Sequence, residues 1–238
     1  EPEEAEADTF ARQIRVPGHS QEALASARVA FIGAGGLNSW NALGAVRSGL
    51  RNLTVIDPDI AERTNLTRQL YYADDLGQPK AHRLARNLLP HMTAGGTVTA
   101  IALGFEEALE DYPLAADLLV VGVDNNACRL EAARFATAQR IPAVFSMLSL
   151  DGMRTQSFLQ GPDKDDSCLW CALPNLDPET SAPCRRRHLK LLSGLVLRPL
   201  LPPPRPDGLA GKHRAFQLAG VRSPRQGRGQ PRACAKTG

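Results

Sequence analysis

The stretch Arg28-Val29-Ala30-Phe31-Ile32-Gly33-Ala34-Gly35-Gly36-Leu37-Asn38 decides the fold. An apolar run enters a glycine turn, and residues 37–49 follow with small and apolar residues at helical spacing until Gly49 stops them. Asn52-Leu53-Thr54-Val55-Ile56 is a second short apolar run, closed by Asp57-Pro58-Asp59. Both runs read as buried parallel strands, so residues 28–56 form a strand–turn–helix–strand unit. Gly33 permits the tight turn, and Gly35, with Gly36 beside it, lets the main chain approach a phosphate. The first turn of the following helix then offers N–H groups and a positive dipole end. Asp57 stands 21 positions past Gly36, near the ~20 expected of an acid that bonds ribose hydroxyls. Asn38 replaces the third glycine of the usual dinucleotide fingerprint, which argues against an NAD-dependent oxidoreductase.

Outward from this unit, Pro79 reads as a first-turn proline of a helix from Lys80 to about Leu89. Strands are expected over 97–101, 117–123 and 141–146, with a helix from Asn126 to Ala138. Strands alternating with helices specify an α/β fold: a Rossmann-like, doubly wound, mostly parallel sheet. Residues 151–160 begin an antiparallel extension. After Cys184 the pattern degrades into an irregular tail broken by Pro199, Pro202, Pro203, Pro204 and Pro206. The chain therefore divides into an N-terminal arm (1–27), a nucleotide-binding domain (28–184) and a basic Pro/Arg/Gly-rich tail (185–238).

With 43% hydrophobic residues in 238, the chain can build a real core. It holds no run near the roughly 18 apolar residues of a membrane span. Glu1-Pro2-Glu3-Glu4 carries no secretory h-region, and five unevenly spaced cysteines make no secreted disulfide framework. A soluble cytoplasmic protein is expected. The net charge of +3 hides a split. Residues 185–238 hold 13 Lys or Arg against Asp207 alone, leaving 15 bases and 24 acids in residues 1–184.

Asp57-Pro58-Asp59, Asn65-Leu66-Thr67-Arg68-Gln69 and Gly77-Gln78-Pro79-Lys80, preceded by Arg12-Gln13-Ile14 and followed by Val123-Asp124-Asn125-Asn126, resemble the ThiF/MoeB/HesA family, relatives of the ubiquitin-activating enzymes. The resemblance covers roughly residues 10–175, and its motifs stand in the family's order. It implies ATP-dependent adenylation of the C-terminal glycine carboxylate of a small ubiquitin-like or sulfur-carrier protein, with release of pyrophosphate. Arg12, Arg68 and Lys80 would meet the triphosphate, Asp124 would hold magnesium, and Asp57 would take the ribose. Asn65 and Gln69 would add polar contacts beside the phosphates. The arginine matching Arg12 often reaches the neighbouring subunit's site, which implies a homodimer.

Cys168-Leu169-Trp170-Cys171 has zinc-ligand spacing and falls where the family carries half of a structural zinc site. The second pair has no counterpart beyond the isolated Cys234, so the ligand set is incomplete unless Cys184 and a histidine such as His188 complete it. Cys184 falls where some members place a thioester-forming cysteine, and Arg185, Arg186 and Arg187 would lower its pKa. Cys128 reads as core. The tail shows little of the small helix and closing strands that the family implies, with Leu189 to Leu197 its one helical candidate, and it reads like GC-rich DNA translated out of frame. A nucleic-acid-binding arm ranks lower, because Phe216 is the tail's lone aromatic. Alternatives within this fold are a tRNA-modifying carboxylate-activating enzyme and a scaffold that binds nucleotide without turnover.

Overall fold

The computed structural model describes residues 9–93, 95–148, 153–163 and 166–173. Cys184, Arg185, Arg186, Arg187, Cys234 and the whole tail over 185–238 lie outside the described residues. Six strands form one sheet: β1 (Arg28–Ile32), β2 (Asn52–Ile56), β3 (Thr97–Ile101), β4 (Leu118–Val121), β5 (Ala143–Leu148) and β6 (Thr155–Gln160). Their order is β3-β2-β1-β4-β5-β6. Every neighbouring pair is parallel except β5 with β6. This is the doubly wound sheet with an antiparallel extension that the sequence specifies.

Chain order reverses between β1 and β4, and the register makes a shared edge there. Ile32 lies opposite both Ile56 of β2 and Val121 of β4, so the carboxyl ends of the three strands stand level. Open α/β sheets bind ligands at such a switch point.

Helices cover both faces. Alternation in β1 sends Val29 and Phe31 to one side, where they pack with Leu53 and Val55 against Ala42, Val46, Leu84 and Leu88. These last four belong to the helices Asn38–Arg47 and Lys80–Leu88. Ala30 and Ile32 face the other way, onto Phe105, Ala108, Ala132 and Ala136. Those sit on Phe105–Asp111 and Asn126–Gln139. In chain order the helices are α1 (Gln21–Ser26), α2 (Asn38–Arg47), α3 (Lys80–Leu88), α4 (Phe105–Asp111), α5 (Asn126–Gln139) and α6 (Leu169–Ala172). Phe31, Leu84, Leu88 and Phe145 are fully buried; each such side chain stabilises the fold by about 1.5–3 kcal/mol relative to exposure.

The boundaries correct the sequence expectation in places. β4 is shorter than 117–123. Asp117 turns aside to form an ion pair with Arg28, and Gly122 and Val123 leave the sheet to build the switch-point loop. β5 begins at Ala143 instead of 141, because the Ile141 N–H closes the end of α5 on the Ala136 carbonyl. The expectation omitted α1, α4 and α6, all short. Gln160, at the end of β6, joins the last part of the fold: its Nε2 donates to Ala133 O and Thr137 Oγ1, and its Oε1 accepts from Leu169 N–H. Cys128 is buried among the α5 core residues, as expected. No helix among the described residues is long and apolar enough to cross a membrane.

Candidate active site

The glycine turn closes β1 at the switch point. Gly33 has φ +89°, and a Cβ there would stand 3.0 Å from Val123 Cγ1 and 3.1 Å from the Gly122 carbonyl. Only glycine fits this close approach. Gly35 is different: a Cβ on it would meet nothing within 4 Å, so the turn opens there onto free space.

Asp57 supports the turn from beneath. Its Oδ2 accepts the Ala34 N–H at 2.6 Å and its Oδ1 accepts the Asp59 N–H at 2.8 Å. Burial pushes the Asp57 carboxyl up to about 6, against the opposing pull of Lys80 and the two amides. Tyr71 grips the next peptide, on the carbonyl side of Ala34: its Oη donates to Ala34 O at 2.7 Å and lies 3.4 Å from Lys80 O. Desolvation, with Asp57, Asp75 and Asp59 nearby, raises the phenol and keeps it protonated.

The segment after Asp59 folds as a short 3-10 turn, Arg63–Thr67. Asn65 is buried, and its Oδ1 accepts the Glu62 N–H at 2.8 Å, so this part of its amide serves the turn itself. Arg68 ends the turn. A Cβ on Gly36 would lie 3.8 Å from Arg68 O and 3.9 Å from Arg68 Cγ, which places the arginine's stem over the glycine turn. Its Nη1 donates to Thr64 O at 2.9 Å, and the residue is exposed. Gln69 is buried with Oε1 unpartnered. Pro79 caps α3 one position before its first residue. Lys80, only 8% exposed, pairs through Nζ with Asp59 Oδ2 at 2.9 Å.

Asn38 is the residue whose part the sequence hid. It is fully buried at the start of α2, and its Nδ2 lies 2.9–3.0 Å from the carbonyls of Ile32, Gly33 and Val120. The amide thus staples β1 to β4 across the switch point. Gly122 makes room for it, since a Cβ there would stand 2.5 Å from Asn38 Oδ1. Gly122 directly after an apolar strand was the available signal.

Asp124 follows β4 and is exposed. The cap of α5 falls to its neighbour: Asn125 Oδ1 accepts the Cys128 N–H at 2.9 Å. Asp124 is thus left exposed just past the carboxyl end of β4, and a single carboxylate is a donor set that magnesium accepts, filling its shell with water and phosphate oxygens. Arg129 lies close behind, donating to Val123 O and Asn126 Oδ1.

Two groups stand apart from this site. Arg12 sits on the arm beside the far end of α2, where Gln13 Nε2 donates to Ser48 O. Ten helical residues, about 15 Å, separate that end from the glycine turn. Cys168 and Cys171 stand at α6 with sulfurs 3.5 Å apart. Two sulfurs are half of a tetrahedral zinc set. Among the described residues no three His, Cys, Asp or Glu gather to hold a metal, so those residues supply half of a zinc set and no more. Cys184 lies outside them.

The ThiF family profile matches residues 10–196. The chain is 30% identical over 182 residues to the sulfur carrier protein ThiS adenylyltransferase of Escherichia coli K12, covering 74% of this chain and 70% of that protein. It is 31% identical over 170 residues to the molybdopterin-synthase adenylyltransferase of the same organism, covering 67% and 66%. Among solved structures, E. coli MccB with AMPCPP and MccA superposes with a TM-score of 0.56 at 27% identity, over 67% of this chain and 48% of that one. E. coli MccB has also been solved with ATP, and it superposes with a TM-score of 0.55. The chain thus spans about two thirds of these adenylyltransferases and just under half of MccB.

Proposed function

The chain belongs to the ThiF family, and from that premise we propose that it activates a carboxylate with ATP, the carboxylate being the C-terminal glycine of a small ubiquitin-like or sulfur-carrier protein. One carboxylate oxygen attacks the α-phosphorus, the bond from that phosphorus to the bridging oxygen breaks, and pyrophosphate leaves with the electron pair. The products are an acyl-adenylate and pyrophosphate. A carboxylate is already ionised at neutral pH, so the step needs no general base. It needs alignment and a fixed positive environment.

The observation that carries this reading is the convergence of the glycine turn, Arg68 and the Lys80–Asp59 pair at the carboxyl ends of β1 and β2. Phosphates would lie over Gly35 and Gly36, where the turn is open. Arg68 would leave the Thr64 carbonyl, and Lys80 would leave Asp59, to meet the triphosphate. Asp57 would accept from the ribose while holding the Ala34 amide, and Asn65 and Gln69 would add polar contacts at the edges. Asp124 would hold a magnesium ion, whose charge when bound offsets that of the phosphates. Arg12, remote from the turn of its own chain, would serve the partner's site in a homodimer.

Isotope exchange between ATP and pyrophosphate tests this directly. Exchange should depend on a carrier ending in glycine and fall by at least roughly a hundredfold in Arg68→Ala and Asp124→Ala, the scale of losing one transition-state contact. ATP binding without exchange for any carrier would reduce the protein to a nucleotide-binding scaffold.

A further inference from the structure

Ser39 and Trp40 are consecutive residues in the first turn of α2, and both reach the main chain of the Arg68 segment. Ser39 Oγ accepts the Leu70 N–H at 3.2 Å. Trp40 Nε1–H donates to the Arg68 carbonyl at 2.9 Å. One bond receives a proton from the segment and the other gives one to it, so residues 68–70 are held at a fixed distance from the helix. Ser39 is fully buried, whereas Trp40 is 50% exposed. An indole left half in solvent adds little to the core, so its N–H is the part with structural work to do.

Arg68 has need of such a restraint. Its backbone, at φ −147° and ψ −1°, lies outside both the helical and the extended regions as it ends the 3-10 turn. Its stem runs over Gly36, and its guanidinium reaches back to Thr64 O. A flexible side chain on an irregular backbone can be aimed only if that backbone is fixed.

We propose that Trp40 is a positioning residue, holding Arg68 over the glycine turn through the hydrogen bond from its indole N–H to the Arg68 carbonyl; this rests on the reading of Arg68 as a phosphate ligand. Phenylalanine at position 40 keeps a ring on the helix and removes the donor. Ser39 stays in place, so the segment remains attached at Leu70 while the Arg68 carbonyl comes loose.

The test is a double-mutant cycle on the full chain, with ATP affinity in magnesium buffer read by calorimetry. Trp40→Phe should weaken ATP binding by roughly three- to tenfold, the scale of one lost hydrogen bond, with an unchanged thermal midpoint. In an Arg68→Ala background the same substitution should change affinity by less than about twofold, because the effect acts through the arginine. Equal losses in both backgrounds, or no loss in the first, overturn the proposal while leaving the adenylation reading intact. Absence of ATP binding by the unaltered protein overturns both. A second measurement covers the case in which Trp40→Phe fails to fold. The chain has two tryptophans, so Trp170→Phe leaves Trp40 as the sole indole. Saturating ATP should shift its emission, and Arg68→Ala should abolish the shift. An emission that ATP does not move overturns the proposal.

Discussion

Gly33 and Gly35 are two positions apart, and their surroundings predict opposite phenotypes. Alanine at Gly33 meets Val123 and the Gly122 carbonyl with φ at +89°, so Gly33→Ala should lower stability by roughly 1–3 kcal/mol. Valine at Gly35 meets no protein atom. Gly35→Val should melt with the unaltered protein yet bind ATP at least roughly tenfold more weakly, a cost of ~1.4 kcal/mol; normal binding would show that phosphate does not sit there. Asp57 gives a pH prediction. Its carboxyl titrates near 6 in the fold, above the ordinary 3.8, so the folded chain keeps a proton that the unfolded chain has released. Stability should therefore fall by roughly 3 kcal/mol as pH rises from about 4 to about 6, and then level off. Urea midpoints across this range should show the slope in the unaltered protein and lose it in Asp57→Asn. Position 57 was legible from its spacing to the glycine turn. Its hold on the Ala34 amide was not, because that bond depends on β1 and β2 being in register.

At the scale of elements, Asn38 joins the start of α2 to both strands of the switch point. Asn38→Gly would complete the glycine fingerprint on paper, yet it should lower stability by roughly 2–4 kcal/mol. It opens a void against Gly122 and leaves buried carbonyls short of a donor. A denaturant midpoint equal to that of the unaltered protein would contradict the staple. The strands β1, β2 and β3 were legible to the residue, since each is a short apolar run bounded by turn or polar residues. α4 was not. It has seven residues and only Phe105 and Ala108 fully turned to the core, and so short a segment barely completes two helical turns. α6 escaped for the same reason, having four residues and being anchored by Gln160 of the preceding strand instead of by its own pattern.

For the molecule as a whole, the separation between Arg12 and the glycine turn makes the subunit arrangement testable. On the proposed homodimer, Arg12→Ala and Arg68→Ala proteins should each be inactive alone, and mixed after reversible dissociation they should recover about a quarter of the exchange activity, since half of the dimers carry one complete site. No recovery would place Arg12 in its own subunit's chemistry or in none. The order of the motifs along the chain revealed the fold. It could not reveal that the arm packs at the end of α2 far from the glycine turn, which only packing decides. The grip of Asp57 on the Ala34 amide has a last consequence. It withdraws one main-chain donor from the cradle and sets a buried negative group beneath it, so attraction for a nucleotide falls to the exposed Arg68 and to Lys80, buried in its pair with Asp59. Salt screens the exposed half of such a hold and spares the buried half: affinity should decline with added salt to a floor that Arg68→Ala reaches without salt, and the hold should slacken once pyrophosphate carries most of the negative charge away.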